Sequence, residues 1–208
     1  MYWGEFLTIA IAHLFAVASP GPDFAVVTRQ CVAAGTKMGI WTSLGIGAGI
    51  LLHVTYCILG VALLLSQSPS LFALMKYLAA AYLIYLGLQS IRAFLGRAES
   101  QKVGDFSPET GLWNAFVLGF LTNGLNPKAT LFFLALFTVV VGESTPTAVQ
   151  ILYGIYLAVA TFLWFTLVSK LFGTSIVRSW LLKGGAWFEL GMGVVLILLA
   201  LQIVLNTA

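Results

Sequence analysis

Asp23 and Lys128 carry opposite charges inside apolar stretches, and each directly follows a cluster of helix-breaking residues: Ser19-Pro20-Gly21-Pro22-Asp23 and Asn123-Gly124-Leu125-Asn126-Pro127-Lys128. A charge at the centre of a bilayer costs from about 2.5 kcal/mol upward, so intramembrane Asp and Lys mark ion or substrate paths by default. Opposite signs suit either a buried ion pair or the two poles of a zwitterion site, and an α-amino acid presents one carboxylate and one ammonium. Both alternatives stay open on the sequence alone. The breaks have their own chemistry, because backbone groups freed at membrane depth must serve a cavity or be satisfied by neighbours. Asn126 is a strong N-cap type and Pro127 fits the first helical position, so a new half-helix is expected to start there. The first break has the same grammar: Ser19 as cap, Pro20 at the first position, Gly21 allowing close approach of backbone or ligand, and Pro22 tolerated in the first turn. Each half-helix N-terminus carries roughly +0.5 charge and favours an anion. The plainer alternative is a pair of proline kinks that only bend helices for packing.

The remaining polar residues carry less chemistry. His13 and His53 lie well inside the first two apolar segments, where they are placed either to relay protons or to hydrogen-bond neighbouring helices. Asn123 sits one turn before Asn126 and can satisfy freed carbonyls or touch a substrate. The run Gly45-x-Gly47-x-Gly49 lacks the strand-then-helix setting of a dinucleotide fold and reads as close helix packing. There is no Walker sequence for ATP hydrolysis, and no obvious base stands near Ser19 in sequence. No catalytic residue, metal ligand set or cofactor is therefore expected.

The elements that hold these residues follow from composition. The 208 residues are 60% hydrophobic and 8% charged, which places the chain among integral membrane proteins. No Asp, Glu, Lys or Arg occurs between Lys37 and Lys76, far more than the about 20 apolar residues a span requires. Apolar runs and turn signals predict six helices, roughly 4–28, 39–65, 71–95, 112–141, 147–171 and 186–205. Continuous runs of this length exclude a β-barrel pattern. The fold class expected is all-α, one transmembrane domain over residues 1–208. Repeat one covers about 1–95, a cytoplasmic loop about 96–111, and repeat two about 112–208. Pro20 and Pro127, Gly4 and Gly111, and Gly35 and Gly142 are all separated by 107 positions. With three helices per half, that correspondence relates two repeats of inverted topology, with broken helices one and four. Of the 10 Lys and Arg residues, all but Lys76 and Lys128 fall in the connections after helices one, three and five, including Arg29, Lys37, Arg178 and Lys183. That side is expected to be cytoplasmic and both termini to face out. The net charge of +3 reflects this asymmetry rather than nucleic-acid binding. The first segment has no basic n-region and carries Glu5, so it reads as a retained helix rather than a signal peptide. Cys31 and Cys57 lie at different depths, and no disulfide is expected between them.

The run Ala18-Ser19-Pro20-Gly21-Pro22-Asp23-Phe24, the later Thr122-Asn123 with Asn126-Pro127-Lys128-Ala129, and Tyr85-Leu86-Gly87 resemble the LysE/RhtB family of bacterial amino-acid exporters over nearly the whole chain. The resemblance implies efflux of a neutral amino acid or derivative of the threonine, homoserine or homoserine-lactone type across the cytoplasmic (inner) membrane, as a proton-coupled antiporter. Its partners would be the lipid bilayer, the amino acid and protons, with homo-oligomerisation left open. On this reading Asp23, Lys128, Ser19, Pro20, Gly21, Pro22, Asn123, Asn126 and Pro127 bind substrate or couple its movement, and His13 and His53 are candidates for proton relay. Relatives of the same family export leucine, cysteine and metal ions, so the solute is not fixed. Rival readings are a channel or metal-ion exporter, which would favour rings of carboxylates or clusters of thiolate and imidazole. A membrane enzyme or a non-transporting scaffold is the other.

Overall fold

The computed structural model describes residues 2–19, 21–67, 69–96, 111–141, 144–171 and 175–207. Eight helices run through them: α1 (Trp3–Ala18), α2 (Pro22–Ala34), α3 (Thr36–Gln67), α4 (Pro69–Phe94), α5 (Leu112–Gly124), α6 (Pro127–Val139), α7 (Thr147–Leu171) and α8 (Ser175–Thr207). No strand occurs among the described residues. Pro20 and Gly142 of the 107-position correspondence, and residues 97–110 of the expected cytoplasmic loop, lie outside them.

The first and fourth apolar segments are each divided in two, α1 from α2 and α5 from α6, at the proline clusters. Thr147–Leu171 spans the same residues as the expected fifth helix. α2, α3 and α8 run further than apolar runs suggest. α2 continues past Thr28 to Ala34, since neither Gly nor Pro intervenes, and Gly35 at φ 91° turns the chain directly into α3. Arg29 and Lys37 are thus helical rather than in a loop. α8 begins at Ser175 instead of near Ala186, which takes Arg178 and Lys183 into the helix. No proline interrupts that stretch, and two consecutive glycines cost only about 1 kcal/mol each in a helix.

Thr36–Gly60 and Thr147–Leu171 are long and apolar enough to cross a membrane, and α1 with α2, bent by 51° at their break, makes a third span when taken together. Pro127–Thr138 and Leu190–Leu205 are shorter apolar helices. Large apolar side chains such as Leu7, Leu59, Leu152, Leu163 and Leu198 are exposed on outward faces. So much exposed leucine is foreign to a water-soluble surface and suits contact with lipid tails.

α3 is the central element, lying against α5 and α7 and also touching α2 and α6, while α4 runs along α8. The core joins Ile50, Val54 and Cys57 of α3, Leu83 of α4, Phe133 and Leu136 of α6, Leu157 of α7 and Leu196 of α8. Cys31 and Cys57 are both free thiols. Backbones of α3 and α5 meet at glycine: a Cβ on Gly45 would overlap the Phe116 carbonyl, and one on Gly119 would overlap the Thr42 carbonyl. Packing of this kind holds helices together in lipid, where no hydrophobic effect separates protein from solvent. Because neither carbonyl can swing aside without unwinding its helix, Gly45→Ala is expected to lower stability in detergent by about 1–3 kcal/mol. Gly60→Ala, where nothing lies within 4 Å of the new Cβ, is expected to be neutral or to gain about 0.5–1 kcal/mol from helix propensity. Thermal unfolding of the two purified variants compares these directly, and equal melting temperatures would contradict the close approach.

Candidate functional site

The two breaks are built differently. α5 ends at Gly124, Leu125 caps it, and Asn126 starts α6 by accepting the Lys128 backbone N–H on Oδ1 at 3.0 Å, with Pro127 at the first helical position. This is the cap expected from the sequence. At the first break the expected cap is not formed. Ser19 closes α1 by donating its backbone N–H to the Phe15 carbonyl at 3.0 Å, and the N-cap of α2 is Gly21 in extended backbone, with Pro22 at the first position. Pro22, with its fixed φ and missing N–H, sets the start of α2, and a serine two residues before Gly21 lies too far back to cap it. The Ser19 hydroxyl instead accepts from Lys128 Nζ at 3.2 Å, linking the end of α1 to the start of α6.

Asp23, second residue of α2, accepts on Oδ2 from Asn123 Nδ2 at 2.8 Å. Asn123 fits against α3 because Gly49 stands opposite, where a Cβ would come within 2.7 Å of its Oδ1. Its carbonyl, freed by the break, accepts from the Asn126 N–H at 2.9 Å and from His53 Nε2 at 3.0 Å. A carbonyl only accepts, so this contact places the proton on Nε2, and Nδ1 faces the Tyr56 hydroxyl at 2.5 Å. His53 is fully buried and stacks on Phe133 with ring centroids 5.5 Å apart. It acts as an anchor behind Asn123. On the other side, His13 Nε2 and Thr161 Oγ1 are 2.8 Å apart, joining α1 to α7.

Most of these groups line one cavity between the helix starts. Its polar wall holds Ser19, Asp23, Asn123, Asn126 and Lys128, with His13 and Thr161 as a separate pair. Ile50, Phe24, Phe132, Phe133, Phe165 and Met192 give apolar wall, and Gly21 and Pro22 also border it. Two of the residues expected at a site from the sequence are not part of the lining: Pro127 starts α6, and His53 stands behind Asn123. Thr161, Met192 and the phenylalanines were not singled out in the sequence. Nothing in the spacing along α7 sets Thr161 apart from Thr166 or Ser169, so only the fold identifies it.

The electrostatics of the cavity are lopsided. A carboxylate in the first turn of a helix is favourable by about 0.3–1 kcal/mol, so Asp23 already complements the N-terminus of α2. Lys128 has the opposite relation to α6: an ammonium in the first turn adds to the positive end of the dipole. The α6 side of the cavity therefore suits an anion and the Asp23 side a cation. Asp23 Oδ1 is buried without a hydrogen-bond partner among the described residues, as is Asn123 Oδ1. A buried acceptor left in this state costs about 1–3 kcal/mol, more when charged, which a bound donor would recover.

A family model of LysE-type translocators matches residues 14–207. The chain belongs to the LysE-type translocator family. Among its relatives is the threonine efflux protein of Escherichia coli (strain K12), 31% identical over 189 residues that span 88% of this chain and 89% of that protein. The leucine efflux protein of Klebsiella pneumoniae subsp. pneumoniae is 29% identical over 181 residues, 84% of this chain and 83% of that protein. An uncharacterized membrane protein of Haemophilus influenzae is 27% identical over 201 residues, 96% of each chain. No solved structure matches. Membership of a translocator family agrees with the apolar helices, so this is a membrane protein of transporter type.

The cap at the second break is open to test without any substrate. Asn126→Ala is expected to cost about 1 kcal/mol in thermal or denaturant unfolding, within the range of about 0.5–2 kcal/mol for lost caps, while Asn126→Ser keeps most of the stability. Equal losses in both variants would show that the side-chain acceptor does not matter there.

Proposed function

We propose that this LysE-family member is a secondary exporter of a small neutral amino acid, holding the zwitterion between Asp23 and the Lys128 end of α6. The observation that carries the reading is the unpartnered Asp23 carboxylate oxygen in the same cavity as Lys128, each charge set at a helix start that follows a break. The substrate ammonium would donate to Asp23, and its carboxylate would lie against Lys128 and the first turn of α6. The efflux relatives named for threonine and leucine support export of such a molecule. The chemistry is vectorial rather than catalytic, and no enzymatic activity is assigned.

Coupling would follow from the same carboxylate. Asp23 is satisfied either by a substrate ammonium or by a proton, and the two compete for one oxygen pair. Substrate leaving outward would be replaced by a proton, which is released inward when the next substrate binds. Six spans arranged as two inverted three-helix repeats, residues about 1–95 and 112–208 of a single domain, would rock about this site, with both termini outside the inner membrane. The 107-residue offset between Pro20 and Pro127 in sequence, and the grouping of most basic residues after the first, third and fifth apolar segments, support that arrangement.

Two substitutions test the assignment in proteoliposomes bearing a proton gradient. Asp23→Asn is expected to abolish gradient-driven amino-acid export in folded, inserted protein, and normal export would remove Asp23 from coupling. Lys128→Ala removes a charge-assisted bond worth about 1.5–3 kcal/mol and is expected to raise the apparent KM roughly ten- to hundredfold. An unchanged KM would take Lys128 out of the site.

A further inference from the structure

Resting on the exporter reading, we infer that the Glu5 carboxylate, clasped by Thr145 and Tyr153, is the gate on the membrane face that carries the N-terminus, and that substrate leaves when α1 parts from α7 there. Glu5 stands in the first turn of α1, and the Thr145 hydroxyl shares its proton between the two carboxylate oxygens at 2.9 and 3.1 Å. The Tyr153 hydroxyl of α7 lies 3.2 Å from Glu5 Oε2 and 3.1 Å from the Tyr2 carbonyl, within donating distance of both. Gln150 Nε2 donates to the Thr145 carbonyl at 2.9 Å and so ties Thr145 to the first turn of α7. Beside this network Phe6 packs edge-on against Tyr156, with ring centroids 4.9 Å apart. Tyr2 and Trp3 are exposed, which suits aromatic side chains at a membrane surface. The clasp therefore lies at one end of the bundle, whereas α1 borders the cavity only from His13 onward.

Between clasp and cavity, α1 itself closes the way. Ile9 and Ala12 are buried and belong to the same core as Leu157 of α7 and Leu196 of α8. Yet α1 makes no backbone approach of the kind that joins α3 to α5. Its one glycine, Gly4, has nothing within 4 Å of where a Cβ would stand. Below the clasp a groove separates α1 from α7, bordered by Leu14, Val17, Tyr156, Ala160, Leu163 and Leu167, and the bond between His13 and Thr161 is a second polar tie beside it. Polar ties at a membrane surface part at small net cost, because each protein hydrogen bond is exchanged for one to water. The backbone contact of α3 with α5 has no such substitute in lipid. Closed and open positions of α1 against α7 thus lie close in free energy, which is the condition for a gate, while α3 and α5 form the fixed frame.

Entry of a membrane-impermeant maleimide from outside reads the gate without any transport. Ala129→Cys places a thiol in the cavity wall on α6, and mass spectrometry follows labelling there and at the native Cys57, which is fully buried in the core. In intact cells, Glu5→Ala and Thr145→Val are each expected to raise the labelling rate at position 129 by about tenfold over Ala129→Cys alone, as losing bonds to a charged group does to an opening equilibrium. Glu5→Gln and Thr145→Ser, which keep an acceptor and the donor, are expected to stay within about threefold. Labelling at the parent rate in folded Glu5→Ala and Thr145→Val overturns the gate. So does an equal rise at Cys57, because the clasp then only holds the fold together. Glu5→His combined with Thr145→His supplies the converse, and decides if the first variants do not fold. External Zn²⁺ bridges the two imidazoles and is expected to slow labelling at position 129 by about tenfold against the same protein in chelator. A rate that Zn²⁺ leaves unchanged overturns the gate. Flat labelling beside normal amino-acid counterflow in proteoliposomes overturns the gate alone. Counterflow that no amino acid drives overturns the exporter reading, and the gate with it.

Discussion

Backbone groups exposed by a helix break cannot be left to hydrocarbon, and the carbonyl of Asn123 is where this molecule meets that requirement. The Asn126 N–H and His53 Nε2 both donate to it, so the break between α5 and α6 is closed by its own chain and by α3 together. The Asn123 side chain then reaches across to Asp23 on α2. A single residue thus ties the second break to the first and to the central helix. Its place is permitted by the absence of side chains at Gly49 and, along the same α3–α5 contact, at Gly45 and Gly119. Without that backbone proximity, neither the amide nor the carbonyl of Asn123 could reach its partners.

From this arrangement the polarity of the cavity follows. One helix start is matched by its own carboxylate, while the other carries a lysine that reinforces its positive end. This arrangement is under-satisfied, since an oxygen of Asp23 has no partner among the described residues. A zwitterion of matching polarity relieves both ends at once, and a proton relieves only Asp23. Under the proposed function, that difference would let one site serve both substrate and coupling ion.

Much of the fold was legible because its signals are local. Two breaks were readable from proline clusters, the Asn126 cap from residue type, close packing of the second apolar segment from Gly45-x-Gly47-x-Gly49, and the seventh helix from its uninterrupted apolar run. Helix ends are less so: a basic residue beside an apolar run marks a loop and a snorkelling helix end equally, so Arg29 and Lys37 read as loop residues although the backbone turns only at Gly35. Ser19 looked like a cap because its type and position beside proline allow one, but a tertiary contact with Lys128 claimed its hydroxyl. The anchoring role of His53 and the pairing of His13 with Thr161 depend on helices 70 and 148 positions away in sequence, and periodicity within one helix holds no information about them.

The position and direction of a bound amino acid in the cavity decide whether a zwitterion lies between the two helix starts. An experimental structure of the protein in lipid, solved with a transported amino acid at saturating concentration, would supply it. The account predicts density between α2 and α6, with the ammonium on Asp23 Oδ1 and the carboxylate against Lys128 and the first turn of α6. Density outside this cavity, or a molecule bound in the reverse direction with its carboxylate at Asp23, would contradict it.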